Sequence, residues 1–490
     1  MPIPPATPRP IPDSPVDPLR RALLKAGLLS AAAPLCQPLL AWAATPAGTV
    51  VNDITGMNPV LVVQVATPRS SADIQQALRQ WPGPVSIGGG RFSMGGQIAS
   101  PGSLHLDMRR CNRLLSLEPR QRLVRVQAGM SWRELQQWVD PHGLAVKIMQ
   151  SYANFTIGGS LSVNAHGRYV GLGPLVNAVR SIVIALADGS LLKASRQQRP
   201  EVFFAAIGAY GALGVICEVE LELAVNQPLE RRVERMRLDA YRDFFFKHVR
   251  ADSGAVMHNA DLAPPYFQEA TAVTWRVSDQ ALTDKRRLTP QGQRYWLQEG
   301  AIRAWTELPG GPLLRKKVAD PLRFARAAVL WRNREASLDV ASLGRIADDG
   351  HSFVLQEYFV PVAKLERFVA AMAAILDTHQ VAALNVSIRH SPADAGTVLA
   401  WARQEVFSLV LYYRQGKDEA ARRQVGVWTR QLIDAALAQG GSYYLPYQLH
   451  ASREQFQRAY PDAGKLFALK RTLDPAGRFR NQLWNKYLTA

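Results

Sequence analysis

A strand that runs straight into three glycines constrains this chain more than any other stretch. In "VSIGGGRFSMGGQ", residues 85–97, Val85 to Ile87 have strand composition, Gly88, Gly89 and Gly90 follow, and Arg91 stands directly behind them. Glycine admits positive φ and lets another group approach the main chain closely, so such a loop suits amides that face an anion, a pyrophosphate first among them. A glycine run alone also makes an ordinary turn. Weight comes from two further clusters, "TIGGSLSVNAHGRYVGLG" at 156–173 and "GAYGALGVI" at 208–216. Neither G-x-G-x-x-G opening a helix nor G-x-x-x-x-G-K-[ST] occurs, which argues against Rossmann and Walker sites.

Around these glycines the chain reads as strands mixed with helices. "PVLVVQVATPRSSADIQQALRQW" predicts a strand, a proline turn and a helix capped by Ser70 or Ser71. "SLHLDM" and "RLVRVQAG" have strand periodicity, and Ser131 with Glu134 makes a capping box. "VRSIVIALADGSLLKAS" predicts two strands joined at Asp188-Gly189. "EVFFAAIGAYGALGVICEVELEL" predicts a helix, a glycine-spaced turn and a long strand. From about Asn226 to Gly440 longer helical stretches alternate with strands such as "FVLQEYFVP" and "VFSLVLYY". The tail "FALKRTLDPAGRFRNQLWNKY" predicts a helix stopped by Asp474-Pro475 and Gly477, with an aromatic terminus that returns to the first domain.

The first 44 residues differ. Arg20-Arg21, Leu24 and Lys25 precede an apolar stretch broken by Pro34 and Pro38, and Ala41-Trp42-Ala43 offers a cleavage site near Ala43. This is the pattern of a twin-arginine export signal, which predicts a periplasmic protein that folds around its cofactor before export. Cys111 and Cys217 sit in apolar segments and read as packing residues, and no spacing demands a metal. The net charge of +18 attracts polyanions and anionic lipid. No zinc-finger or RNA-binding signature accompanies it, so nucleic acid is not an expected partner.

Taken in order, "GGGRFSMGGQ", "LDM", "VQAGMSW", "FTIGGSLSVNAHG", "VRSIVIALADG" and "EVFFAAIGAYGALGVI" resemble the FAD-binding domain of the vanillyl-alcohol oxidase and p-cresol methylhydroxylase superfamily, over about residues 58–225. The resemblance implies an α+β fold: a two-lobed FAD-binding domain at 45–225, a cap domain built on an antiparallel sheet at 226–440, and a segment at 441–490 that returns to the first domain. It implies that Ile87, Gly88, Gly89, Gly90, Arg91, Phe92 and Ser93, with Thr156, Gly158, Gly159 and Ser160, wrap the FAD pyrophosphate, and that Gln97 lies close by. Asn164, His166 and Gly167 would line the flavin, Gly211, Gly214, Val215 and Ile216 the adenine side, and Asn481 would reach the flavin edge. Many relatives carry at the Arg91 position a histidine bonded to the flavin; arginine forms no such bond, so FAD is expected to be held non-covalently.

"NAHGRYVGLGPLVNAVRSIVIALADG" is most similar to the aldonolactone and alditol oxidase branch and to decaprenylphosphoryl-ribose oxidase, which implies oxidation of a CH–OH group in a sugar, polyol, lactone or lipid-linked sugar. Ser387-Ile388-Arg389 resembles the Glu-x-Arg of that branch: the cation is kept at Arg389, and Ser387 stands in place of the glutamate. His390 points the other way along the strand and reads as structural. Of Glu357 and Tyr358 only one can face the pocket, and Glu357 is the candidate. In "YYLPYQLHAS", His450 is a candidate base, and Lys486 is a candidate at the flavin edge. The electron acceptor is O₂ or a respiratory carrier. Two other readings stand beside this one. One is a cytokinin-type or other amine dehydrogenase, since "GGQ" occurs there as well. The other is a flavoprotein that binds a membrane surface through the basic stretch that begins at Arg315 to Lys317.

Overall fold

A computed structural model describes residues 48–290, 324–340, 350–394 and 396–488. The expected export signal, and Arg315 to Lys317 of the basic stretch, lie outside the described residues. The first glycine turn grows out of a small parallel sheet in the order Gln64–Ala66, Leu104–Asp107, Val85–Gly88. Helix Ser71–Gln80 links two of these strands, with Ser70 as its N-cap accepting from Asp73 N, and it buries Ile74 and Leu78. Those side chains join Val85, Leu104, Leu106, Val215 and Phe479 in one apolar cluster. Cys111 and Cys217 belong to it as free, buried thiols, which accords with a packing role.

Beside it stands an antiparallel sheet in the order Leu191–Ser195, Val179–Ala185, Val215–Val225, Leu123–Gln127, Leu114–Glu118, with Leu144–Val146 paired to the far end of Val215–Val225. The Asp188-Gly189 turn is longer than a two-residue hairpin. The last paired residues are Ala185 and Leu191, the loop is closed by Leu186 N donating to Ser190 O, and Gly189 sits at φ +81° where a side chain would be strained. Ser131 and Glu134 form the expected capping box on helix Trp132–Val139.

Beyond Val225, among the described residues, longer helices such as Leu365–Thr378 and Glu419–Ala438 alternate with strands, as the sequence predicts. Eight of the strands form one antiparallel sheet: Val329–Trp331, Pro228–Arg237, Glu269–Val277, Ala255–Leu262, Ala383–Ser391, Val406–Gly416, His351–Pro361, Ser442–Tyr443. Pro228–Arg237 hides from a sequence reading because it is mostly charged, "PLERRVERMR", with few buried positions. One face of this sheet is covered by helix Glu419–Ala438, whose Val425, Trp428, Thr429, Leu432, Ile433 and Ala436 recur at helical spacing and are buried. Gln356 shows the contact: its Nε2 donates to Thr429 Oγ1 at 2.8 Å and to Tyr413 Oη at 2.9 Å. The opposite face carries Glu357, which meets His166 from the loop after helix Ile157–Ser162.

The segment after Gly440 packs against the first glycine strand. Helix Ala463–Leu473 ends at Asp474, and the segment behind it pairs with the first glycine strand: Val85 N donates to Arg478 O at 2.7 Å and Arg480 N to Val85 O at 2.9 Å. Lys470 Nζ reaches Asp474 Oδ2 at 2.7 Å and the carbonyls of Ala212 and Phe479, and both charged side chains are buried. No helix among the described residues is long and apolar enough to cross a membrane.

Candidate active site

The first two glycine clusters meet at one hydroxyl. Thr156 caps the short helix Ile157–Ser162, and its Oγ1 accepts from Gly159 N and from Gly90 N, each at 3.3 Å. A Cβ added at Gly89 would stand 2.2 Å from that oxygen, so glycine there is a condition of the approach. Behind the turn, Phe92 stacks on Phe155 with centroids 4.2 Å apart. Ile87, Gly89, Ser93, Gln97, Thr156, Gly158 and Gly159 line a cleft whose far wall is Tyr210, Gly211, Gly214 and Ile216. Among the described residues no carboxylate lines it. Walls of glycine, main-chain amide and small apolar side chains, with no acid, fit a flat dinucleotide whose diphosphate is held by main-chain donors.

Several residues expected at the cofactor are engaged elsewhere. Ser160 Oγ takes a hydrogen bond from Trp132 Nε1 and gives one to Thr156 O. Asn164 directs Nδ2 to Asp394 Oδ2 at 2.9 Å and accepts from Val176 N, so its side chain braces the loop. Gly167 backs onto Met149, whose carbonyl a Cβ would meet at 2.1 Å. Val215 is core. Asn481 donates to Tyr210 O at 2.7 Å and caps the last helix through Trp484 N, so it holds the cleft wall from behind. Gln97 donates to the carbonyls of Leu445 and Tyr447, each at 2.7 Å, and thereby ties the glycine loop to that segment.

Arg91 has its charge answered within the protein. Sitting at φ +63°, it reaches Asp107 Oδ2 at 3.2 Å, and Asp107 also takes a two-pronged contact from Arg109. Burial pushes the Asp107 carboxyl up, but the two arginines outweigh it and hold it below the usual range.

The face of the large sheet opposite helix Glu419–Ala438 carries a row of polar groups, several of them buried. Ser387, Val410 and Glu357 lie opposite one another on three adjacent strands, so their side chains share a face with Asn385, Arg389, Ser408 and Tyr412, two residues along. Asp261 continues the row beyond Ser387, and Asn385 Nδ2 donates to it at 3.1 Å. Glu357, not Tyr358, faces this side, as alternation requires. Its Oε1 lies 2.6 Å from His166 Nε2 and its Oε2 accepts from Tyr447 Oη at 3.1 Å. The pair is buried, with side chains 4% and 2% exposed. Burial raises the Glu357 carboxyl, yet the His166 ring and Arg389 outweigh that and hold it below the ordinary carboxylate range. Arg389 Nε and His166 Nδ1 are buried without a hydrogen-bond partner. His166 is wedged among Trp401, Phe359 and Tyr444, with centroids 4.8, 5.7 and 6.0 Å away.

The sequence therefore brings His166, Glu357 and Arg389 together, and leaves His450 and Lys486 in a different group. Lys486 Nζ donates to Leu449 O at 2.5 Å, and the His450 ring packs beside Gly426 and Arg430. Burial, with Lys486, Arg430 and Arg422 nearby, pushes the His450 imidazole down to about 3. His390 is structural as expected, bonded to Glu405 at 2.8 Å and packed on Phe245. Sequence reasoning missed Tyr447, Trp401 and Asp261. Tyr447 stood within the "YYLPYQLHAS" segment, but nothing local marks a partner ninety residues away.

Comparison with known proteins gives the same outline. A family model described as an FAD binding domain matches residues 59–195. The L-gulonolactone oxidase of Mus musculus is 22% identical over 447 residues, covering 88% of this chain and 96% of that protein. The decaprenylphosphoryl-beta-D-ribose oxidase of Mycolicibacterium smegmatis is 23% identical, covering 91% and 96%. The alditol oxidase of a Streptomyces species is 31% identical over 248 residues, 48% of this chain and 56% of that one.

Proposed function

Residues 59–195 belong to the FAD binding domain family, and from that premise we propose that this FAD-linked oxidoreductase oxidises a CH–OH group of a polyhydroxylated, sugar-derived donor. The observation that carries the reading is the polar row on one face of the large sheet. There an ionised Glu357, a histidine and an arginine with unpartnered nitrogens stand among Asn385, Ser387, Ser408, Tyr412 and Asp261. The glycine cleft adjoins it, because Met94 of the glycine loop meets Leu355 N through its sulfur and Pro446 O through its amide. A row of neutral and charged hydrogen-bonding groups suits a donor with several hydroxyls. The names of the similar oxidases, which act on a lactone, an alditol and a lipid-linked sugar, point to the same class.

FAD, when bound between Thr156 and the Tyr210–Ile216 wall, supplies the acceptor for a hydride. The protein's own part is to orient the donor. Arg389 offers its guanidinium to a donor oxygen, Ser387 and Asn385 fix neighbouring hydroxyls, and Glu357 keeps a negative charge beside His166 and Tyr447. With an arginine committed to Asp107 at position 91, the cofactor is held without a covalent bond. The Arg20-Arg21 pair supports export of the folded protein to the periplasm.

The test is an absorbance spectrum of purified protein followed by acid precipitation, then anaerobic titration with alditols, aldonolactones and aldoses. A yellow supernatant over a colourless pellet, and bleaching by one of these donors, is expected. Colourless, well-folded protein that takes up no FAD refutes the cofactor, and bleaching by amines alone refutes the donor class.

A further inference from the structure

We propose that His166 accepts the proton of the substrate hydroxyl at Nδ1, and that Glu357 is the positioning residue that reserves this nitrogen for it. The inference rests on the reading of a CH–OH donor and assigns one atom within it. Both Glu357 oxygens accept: Oε1 faces His166 Nε2 at 2.6 Å and Oε2 receives Tyr447 Oη at 3.1 Å. An ionised carboxylate has no proton to give, so the hydrogen in the His166–Glu357 contact sits on Nε2. With Nε2 engaged by Glu357, Nδ1 is the ring nitrogen left to face a substrate, and it offers a lone pair whenever the ring carries one proton. That nitrogen is buried and without a hydrogen-bond partner, as are Arg389 Nε, Ser408 Oγ and Tyr412 Oη on the adjoining sheet face, whereas buried polar groups are ordinarily paired. The ring cannot turn to relieve it, because Trp401, Phe359 and Tyr444 pack around it and Trp401 Nε1 is itself tied to Asn164 O at 3.0 Å.

The balance of the step is simple. The donor O–H bond breaks and its proton goes to Nδ1. The carbon gives up its hydride, with the electron pair, to the oxidised flavin, and a carbonyl remains. The imidazolium so formed lies against the Glu357 carboxylate, which offsets its charge. Glu357 and Tyr444 face His166 directly, and Arg389 and Tyr447 act on the Glu357 carboxylate beside it.

Two measurements on the full-length flavoprotein test this. In the first, ¹⁵N-histidine NMR reads the tautomer without any turnover. The proposal expects a His166 signal, identified by its loss in His166→Gln, with Nε2 protonated and Nδ1 bare; a proton on Nδ1 overturns it. In the second, anaerobic stopped-flow follows flavin reduction against pH. His166→Gln is expected to keep its flavin and to slow reduction about 10²–10⁴-fold. Glu357→Gln is expected to keep flavin, to reduce more slowly, and to move the acid limb of the profile to lower pH, because the resulting cation loses its counter-charge. Normal reduction in His166→Gln, or an unmoved limb in Glu357→Gln, overturns the proton assignment alone. A wild-type protein that no hydroxylated donor reduces overturns the functional reading and this inference together.

Discussion

Gly89 and Thr156 form a pair whose coupling is measurable. Gly89→Ala places a methyl group 2.2 Å from Thr156 Oγ1, and ordinary contact begins near 3.4 Å, so one of the two must yield. Overpacking of this kind costs about 1–3 kcal/mol. Thr156 resists moving, because Oγ1 accepts from both Gly90 N and Gly159 N and caps the helix that follows. Thr156→Ala alone forfeits the cap, worth about 0.5–2 kcal/mol. In the double variant the obstacle is gone, so its cost should equal that of Thr156→Ala and fall short of the sum by about 1–3 kcal/mol. Thr156→Val, which keeps a branch at the same place, should give no relief. Urea unfolding of the four proteins measures the cycle, and flavin content after desalting reads the functional side. If the same 1–3 kcal/mol falls only on the FAD-bound form, it reads as roughly 5- to 150-fold weaker binding. If the two single costs add to within about 0.5 kcal/mol, the threonine oxygen is not what excludes a side chain at position 89.

Other expectations follow from the same geometry. Asp474→Asn strips the anion from Lys470, whose side chain is 4% exposed, and should cost roughly 3–5 kcal/mol in denaturant unfolding; a loss below about 1 kcal/mol contradicts the buried pair. Burial holds His105 at about 4 and His258 at about 3, below the unfolded value near 6.5, so the unfolded chain takes up protons first. Each therefore contributes stability that is complete above about pH 6.5 and is lost, at about 1.4 kcal/mol per pH unit, as pH falls toward the folded value. Guanidinium midpoints between neutral and mildly acidic pH should drop less steeply in His258→Asn than in wild type, and an equal slope rejects the assignment. Arg91→Ala should leave Asp107 with Arg109 alone and should not make the flavin covalent, so acid precipitation still yields a yellow supernatant.

What could be read from the chain was whatever rests on local chemistry. The Ser131–Glu134 box, the Ser70 cap and the stop at Asp474-Pro475 are each decided within a few residues, and each stands where expected. Gly89 and Thr156 were both visible as cleft residues, but their shared oxygen was not, because 66 residues separate the partners. The strand Pro228–Arg237 was hidden by its charges, since a strand with one solvated side shows little apolar rhythm. His166 and Glu357 were each singled out for separate reasons, and only the packing of the loop after helix Ile157–Ser162 against strand His351–Pro361 brings them within 2.6 Å. His450 stood out as a candidate base within "YYLPYQLHAS". Burial among cations leaves it neutral and occupied with packing, a circumstance no residue type announces.

The return of the tail bears on when the nucleotide site can exist. Arg478 and Arg480 bracket Val85, Phe479 joins the core beneath the first glycine turn, and Asn481, Trp484 and Lys470 fasten the carbonyls of Tyr210, Ala209 and Ala212 on the opposite wall. The ribosome makes Val85 long before Phe479. Until the stretch from Lys470 to Trp484 has followed, the half of the protein that grips the cofactor lacks the segment that pairs with Val85 and fastens the opposite wall, so the complete nucleotide site cannot form on the nascent first half alone.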